Sequence, residues 1–213
     1  MPGSDLGQSI AYYRELAQRY DSRTHRIDVI RRRAIEALGL VPGDLVLDAG
    51  CGTGWCLPPL MEGVGASGSV IAFDPSPEML AVARARLNGG SERTRLMEAS
   101  AQAVRLPATP DAVLFSFTHD LVCSPLALDN VLRQAAGARV AAVGTKLYSP
   151  WLFPANWVVK ARHRGYITDF DSLGEPWALL AARLTDFHLI AGPFTQHYVA
   201  PRRVPPAQAA EKT

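Results

Sequence analysis

Apolar positions in the first forty residues recur at helical spacing. Leu16, Tyr20, Ile27, Ile30, Ala34 and Leu38 fall on one stripe between Ser9 and Leu38. The Asp21-Ser22 pair interrupts that stripe and offers an N-cap, so the segment predicts two successive helices. Gly39 ends the second, and Pro42-Gly43-Asp44 makes a turn. The pattern then changes to short continuous apolar runs, the mark of strands buried on both faces. LVLDAG from Leu45, SVIAFD from Ser69 to Asp74, AVLFSF from Ala112 to Phe117 and ARVAAVGT from Ala138 to Thr145 are such runs, and RLMEA near Arg95 is a weaker one. Helical segments alternate with them: one after Gly54 with Pro58-Pro59 in its first turn, one over Pro75–Leu87, and one over Ser124–Ala136. Strand–helix alternation predicts an α/β fold, a doubly wound and mostly parallel sheet with helices on both faces.

The alternation stops at Thr145. Residues 146–177 are rich in aromatics and prolines and read as an insertion that covers the substrate. A helix near Pro176–Leu184 follows, and FHLIAG and FTQHYVA flank a Gly192-Pro193 turn as an antiparallel hairpin. The expected organisation is one domain over residues 1–200, with a helical cap over 9–38 and a disordered tail over 201–213.

Composition narrows the class. The chain has 213 residues, a length that suits one domain. Hydrophobic residues make up 48% and charged residues 20%, which excludes extended disorder for most of the chain. With 22 basic against 20 acidic residues, the net charge of +2 argues against a dedicated nucleic-acid binder. Lysine occurs only at Lys146, Lys160 and Lys212, so covalent chemistry through an amine is nearly excluded. The three cysteines, Cys51, Cys56 and Cys123, form no even disulfide framework and fit no zinc spacing, so no metal is expected. No signal-peptide pattern and no apolar run near the ~20 residues of a membrane span are visible, and a cytoplasmic location is the expectation. The Arg31-Arg32-Arg33 run reads as a solvated helix face.

The candidate chemistry begins at the first strand, which ends in Asp48-Ala49-Gly50-Cys51-Gly52-Thr53-Gly54. Alternating glycines let the backbone turn sharply under a ligand and approach it closely. Asp74 ends the next strand, 20 residues after Gly54, where a carboxylate can accept hydrogen bonds from both hydroxyls of a ribose. A dinucleotide fingerprint G-x-G-x-x-G counted from Gly50 would need glycine at position 55, which is Trp55.

VLDAGCGTG followed by VIAFDPSPEML closely resembles the first two motifs of class I S-adenosylmethionine (SAM)-dependent methyltransferases. The resemblance implies a seven-stranded Rossmann-like sheet with an antiparallel last strand, and SAM as cofactor. It implies that Asp48, Ala49, Gly50, Cys51, Gly52 and Gly54 hold the methionyl part, with Asp48 facing the ammonium. Asp74 is implied to bind the ribose, with Pro75, Ser76 and Met79 near the ribose and adenine. The family's third motif falls at EASAQ, which implies adenine contacts at Ser100, Ala101 and Gln102, although the common aspartate is absent there. Tyr20-Asp21 resembles the Tyr-Asp pair of ubiquinone, menaquinone and bacterial phospholipid methyltransferases, which implies a SAM contact for Tyr20.

Acceptor chemistry is expected where the fourth strand ends, at Phe117, Thr118, His119 and Asp120. Phe117 and Thr118 are expected to line the cofactor. His119 is the candidate base or acceptor-orienting group, with Asp120 to orient it or bind a cation. The alternative is that His119 caps the next helix or lines the pocket. Tyr12, Tyr13, Trp151, Trp157 and Tyr166 are candidate substrate contacts, since aromatic rings supply apolar area and hold cations. The leading reading is methyl transfer to oxygen, nitrogen or carbon of a hydrophobic small molecule. The rivals are a phospholipid N-methyltransferase in peripheral contact with a membrane, and a SAM-binding protein without catalysis. A monomer and a homodimer are both compatible with the sequence.

Overall fold

The computed structural model describes residues 27–87, 92–147, 156–157, 174–185, 188–189, 197–199 and 202–204. Strands β1 (Leu45–Ala49), β2 (Ser69–Asp74), β3 (Thr94–Glu98), β4 (Ala112–Ser116) and β5 (Arg139–Thr145) form a parallel sheet in the order β3-β2-β1-β4-β5. Helices α1 (Asp28–Ala37), α2 (Leu57–Gly63), α3 (Pro77–Arg86), α4 (His119–Val122), α5 (Pro125–Arg133) and α6 (Ala178–Ala181) pack around it. Asp48 stands in register with Ala72 of β2 and Leu114 of β4. The direction of strand succession reverses between β1 and β4, which opens a crevice beyond their carboxyl ends.

Alternation along each strand feeds two separate cores. Val46, Val70, Ala72, Leu114, Ala141 and Val143 face one way and pack with Ala34 and Ile35 of α1, Leu38 just after it, and Leu57 and Leu60 of α2. Leu47, Ile71, Phe73, Val113, Phe115 and Val140 face the other way and pack with Ala127, Leu128 and Val131 of α5 and Leu180 of α6. Both sheet faces are therefore dry, which is why the strands read as continuous apolar runs rather than alternating ones. Burial of this kind contributes roughly 1.5–3 kcal/mol for each large aliphatic side chain.

Local sequence sets the helix starts. Ser76 caps α3 by accepting the Met79 amide at 3.3 Å, and Pro77 supplies the first helical position. Ser124 and Pro125 repeat the arrangement at α5, with the Ala127 amide at 3.4 Å. Pro58 falls in the first turn of α2, as the sequence predicts.

Along the outer edge of β5 run two short antiparallel strands, β6 (His197–Val199) and β7 (Arg202–Arg203). They pair Val143 with Val199 and Arg139 with Arg203. Both segments share β5, and much of the expected 187–200 hairpin lies outside the described residues. Val204 is buried, so the chain stays in the fold past residue 201, where the sequence suggests a tail. The first helix of the expected cap and most of the 146–177 insertion also lie outside the described residues.

Candidate active site

The loop from Gly50 to Gly54 leaves β1 with three left-handed glycines, at φ 75° for Gly50, 53° for Gly52 and 72° for Gly54. A side chain at Gly50 would place its Cβ 2.6 Å from Thr118 Cγ2, and one at Gly54 would meet Leu57 Cδ1 at 2.7 Å and Ala83 Cβ at 2.9 Å. Gly50 and Gly54 are thus required by packing as well as by conformation. At Gly52 a Cβ would meet nothing within 4 Å among the described residues. There the backbone conformation is what demands glycine.

Asp74 ties the loop to the second strand. Its Oδ2 accepts the Gly52 amide at 2.9 Å and its Oδ1 accepts the Ser76 amide at 2.9 Å. Burial pushes the Asp74 carboxyl up to about 6, against the lowering effect of the Ser76 and Gly52 amides. Each oxygen keeps a further lone pair, enough to accept from a vicinal diol.

Asp48 is 1% exposed, and its Oδ2 has no hydrogen-bond partner among the described residues. Burial pushes its carboxyl up to about 7; the Arg31 guanidinium pulls it down and Asp74 adds to the rise. A buried carboxylate oxygen with no donor is costly unless a ligand supplies one. Burial also raises the thiols of Cys51 and Cys56 well above their ordinary range, so neither is a thiolate near neutrality.

The β4 end supplies the opposite wall. Phe117 has φ 57°, the one left-handed non-glycine among the described residues, and its amide is held by the Val143 carbonyl at 2.7 Å. Thr118 precedes α4 without a side-chain cap, and its buried Oγ1 has no partner among the described residues. His119 opens the short helix α4, and both ring nitrogens lie 3.8 Å from Cys123 Sγ one turn later. Asp120 is partly buried in the same turn.

The third strand brings in residues 99–104. The Ala99 amide bonds to the Asp74 carbonyl at 3.2 Å, and Ser100 starts a turn whose carbonyl accepts the Val104 amide at 2.8 Å. Ala101 is buried, whereas Gln102 is exposed. The 99–104 turn is latched from α5. Asn130, itself buried, donates to the Ala101 carbonyl at 2.8 Å and to the Val104 carbonyl at 3.1 Å.

The structure therefore brings Asp48, Ala49, Gly50, Cys51, Gly52, Gly54, Asp74, Pro75, Ser76, Phe117 and Thr118 to one sheet edge, with Ser100–Gln102 beside them. Met79 is buried in α3 behind Ser76. Trp157 is 67% exposed. Tyr12, Tyr13, Tyr20, Trp151 and Tyr166 lie outside the described residues. No cluster of metal-ligating side chains occurs among the described residues.

Two residues escaped the sequence reading. Arg31 is not on a solvated face: it is 4% exposed, while Arg32 and Arg33 are exposed. Its guanidinium lies 5.2 Å from the Trp55 ring centroid and 5.6 Å from that of Phe117. Arg31 falls four residues after Ile27 and three before Ala34, inside the apolar stripe, and that position was the available signal. Asn130 carried no signal, because its partners sit 29 and 26 residues away.

Comparison with known proteins finds the same fold. The family described as "Methyltransferase domain" matches residues 46–139. Aklanonic acid methyltransferase DauC of Streptomyces sp. (strain C5) is 31% identical over 121 residues, covering 52% of this chain and 55% of that protein. Demethylmenaquinone methyltransferase of Lactobacillus johnsonii is 28% identical over 124 residues, covering 56% of this chain and 48% of that protein. The chain thus spans about half the length of the curated relatives it matches. Among solved structures, the DhpI complex with S-adenosylhomocysteine (SAH) superposes at TM-score 0.67 with 20% identity, over 94% of this chain and 97% of that one. The N-methyltransferase NodS of Bradyrhizobium japonicum, also with SAH, gives TM-score 0.65 with 16% identity over 93% and 98%.

Proposed function

We propose that this chain, which belongs to the class I SAM-dependent methyltransferase family, transfers a methyl group from SAM to oxygen, nitrogen or carbon of a hydrophobic small molecule. The observation that carries this reading is the buried Oδ2 of Asp48, which has no partner among the described residues, beside a glycine loop tied to Asp74. That arrangement fits an aminoacyl nucleoside: one acid waits for an ammonium and the other for a ribose. The chemistry of the donor set fits SAM, and the two curated relatives are named for aklanonic acid and demethylmenaquinone, both small molecules.

When bound, SAM supplies a methyl group on a sulfonium, an electrophile open to direct displacement. The protein's own part is positioning and dehydration. Asp74 holds the ribose edge and stiffens the loop at Gly52. Asp48 receives the ammonium. The 99–104 turn, through Ser100, Ala101 and Gln102, borders the adenine, with Pro75, Ser76 and Met79 beneath it. Phe117 and Thr118 close the sulfonium side, and His119 stands next in line to orient the acceptor or take its proton. Aromatic residues of the 146–177 segment, Trp157 among them, supply the apolar wall of the acceptor pocket in this reading. β6 and β7 take the part of the family's closing antiparallel strands.

Isothermal titration with SAH, followed by radiolabelled methyl transfer to a panel of phenols, carboxylic acids, amines and phosphatidylethanolamine vesicles, tests the proposal. Micromolar SAH binding with turnover on a soluble aromatic acceptor is the expected result. Failure to bind SAH overturns it, and turnover confined to vesicles replaces the small-molecule acceptor with a lipid.

A further inference from the structure

Lys146 takes no part in the function proposed so far. It is the first residue past β5 and is 8% exposed, as is Thr145 before it. A lysine is seldom buried this far unless a partner matches its charge. One that only lays its stem along an apolar wall keeps its head in water and stays more exposed. The ion pairs among the described residues are Arg31–Asp28, Arg139–Asp44 and Arg183–Asp129, and Lys146 joins none of them. Nor does its ammonium donate a hydrogen bond among the described residues. A full charge and its N–H donors are left unmatched there.

Position adds the second observation. β4 and β5 run side by side to their carboxyl ends, where the Phe117 amide bonds to the Val143 carbonyl at 2.7 Å. The chain leaves β4 through Thr118 and His119 and leaves β5 through Lys146, so all three stand at the same edge. Thr118 turns its methyl to Gly50, and its buried Oγ1 has no partner among the described residues. A buried ammonium and a buried hydroxyl at one edge, both without an acceptor, call for an anionic ligand. β4 separates β5 from β1, so Lys146 leaves the sheet two strand spacings, about 10 Å, from the strand of Asp48. It therefore stands on the acceptor side of the crevice and not beside the glycine loop. A phosphate dianion is matched less well than a carboxylate, because Asp120 at the start of α4 adds a negative charge to the same edge.

We infer, on the reading that this cleft methylates a small molecule, that Lys146 anchors the acceptor and that the acceptor is a hydrophobic carboxylic acid. The carboxylate sits on the Lys146 ammonium, and His119 at the neighbouring strand end is left to face the atom that takes the methyl group. An amine acceptor is disfavoured, since its ammonium would meet that of Lys146.

Lysine occurs only at Lys146, Lys160 and Lys212, so the full chain labelled with carbon-13 at lysine Cε gives one signal for each. The spectrum of Lys146→Arg identifies the signal of Lys146. NMR titration of the SAH-bound protein with benzoate, benzamide and benzylamine then tests the assignment. Benzoate is expected to shift the Lys146 signal saturably and to bind about 10- to 100-fold more tightly than benzamide, the range for a hydrogen-bonded charge, with benzylamine weaker still. Lys146→Met should lose the preference for benzoate while keeping benzamide within about threefold, and Lys146→Arg should retain part of it. A Lys146 signal that benzoate leaves unmoved, or moves no more than those of Lys160 and Lys212, overturns the inference in the wild type alone, so a misfolded variant does not protect it. Equal binding of benzoate and benzylamine overturns it too, as does a Lys146→Met protein that keeps the preference. A wild type that binds no SAH strikes instead at the methyltransferase reading itself.

Discussion

The Asp74 carboxylate accepts the backbone amide of Gly52 at 2.9 Å, joining the end of β2 to the middle of the β1 loop. One side chain thereby shapes the loop and, in the proposed function, holds the ribose. Asp74→Ala is expected to weaken SAH binding by about 100-fold, since it removes a charged acceptor and frees a loop amide. Asp74→Asn should lose less, because its carbonyl oxygen can still accept the Gly52 amide. Titration calorimetry checks the order; equal losses would separate the ligand role from the loop role.

The raised carboxyls of Asp48 and Asp74 give a pH dependence of definite sign. Both bind a proton more tightly in the folded state, up to about 7 and about 6, than at their ordinary value of 3.8. Folded stability from these groups therefore falls as pH rises from 3.8 through about 7, then levels off. Ligand binding runs the other way, because the ammonium and ribose favour the ionised acids. Thermal melts should show the ligand-free protein losing stability between pH 5.5 and pH 8 while SAH adds more stabilisation at the higher pH. Asp48→Asn should flatten much of both trends, and unaltered slopes in that variant would remove Asp48 as their source.

The glycines of the loop separate steric from conformational demand. Gly50→Ala meets Thr118 Cγ2 at 2.6 Å in addition to its left-handed φ and should cost about 2–4 kcal/mol. Thr118→Ser removes the clashing methyl, so the double variant should recover part of that loss. Gly52→Ala has only the φ to satisfy and should cost about 1 kcal/mol, while impairing SAH binding more than Tm. Denaturant melts of the three variants settle whether the clash is real, through the coupling between positions 50 and 118.

His119→Ala is expected to lower kcat by about 100-fold with SAM affinity within about threefold, the range for loss of a general base. Unchanged turnover on the true acceptor would leave His119 as a helix-start residue beside Cys123.

Asn130 offers a test remote from any ligand atom. Asn130→Leu leaves the Ala101 carbonyl without its 2.8 Å donor and should cost about 2–3 kcal/mol of stability. If the 99–104 turn borders the adenine, the KM for SAM should rise with kcat little changed. A fall in Tm with an unaltered KM would confine Asn130 to support.

The parallel strands were readable because burial on both faces leaves a continuous apolar run, as in AVLFS over β4. The glycine loop was readable because left-handed φ at three alternating positions restricts residue choice to glycine. Arg31 was not, since its neighbours Arg32 and Arg33 are exposed, Arg32 with its guanidinium over the Trp55 ring, and three arginines in a row look alike until the helix is turned against a sheet. The Asn130 latch was unreadable for a different reason: its bonds join segments brought together only by the β3–β4 crossover. Phe117 gave no warning either, because a bulky residue has no preference of its own for φ 57°, and the Val143 carbonyl that holds its amide lies on β5, 26 residues away in sequence.

The ten residues of α1 have a consequence for ligand exchange. Ala34 and Ile35, with Leu38 just beyond the helix, are sealed into the core while Arg31 on the same helix lies against Trp55 and Phe117. Swinging α1 outward would expose that core face, so the helix serves as a fixed jamb and not as a door.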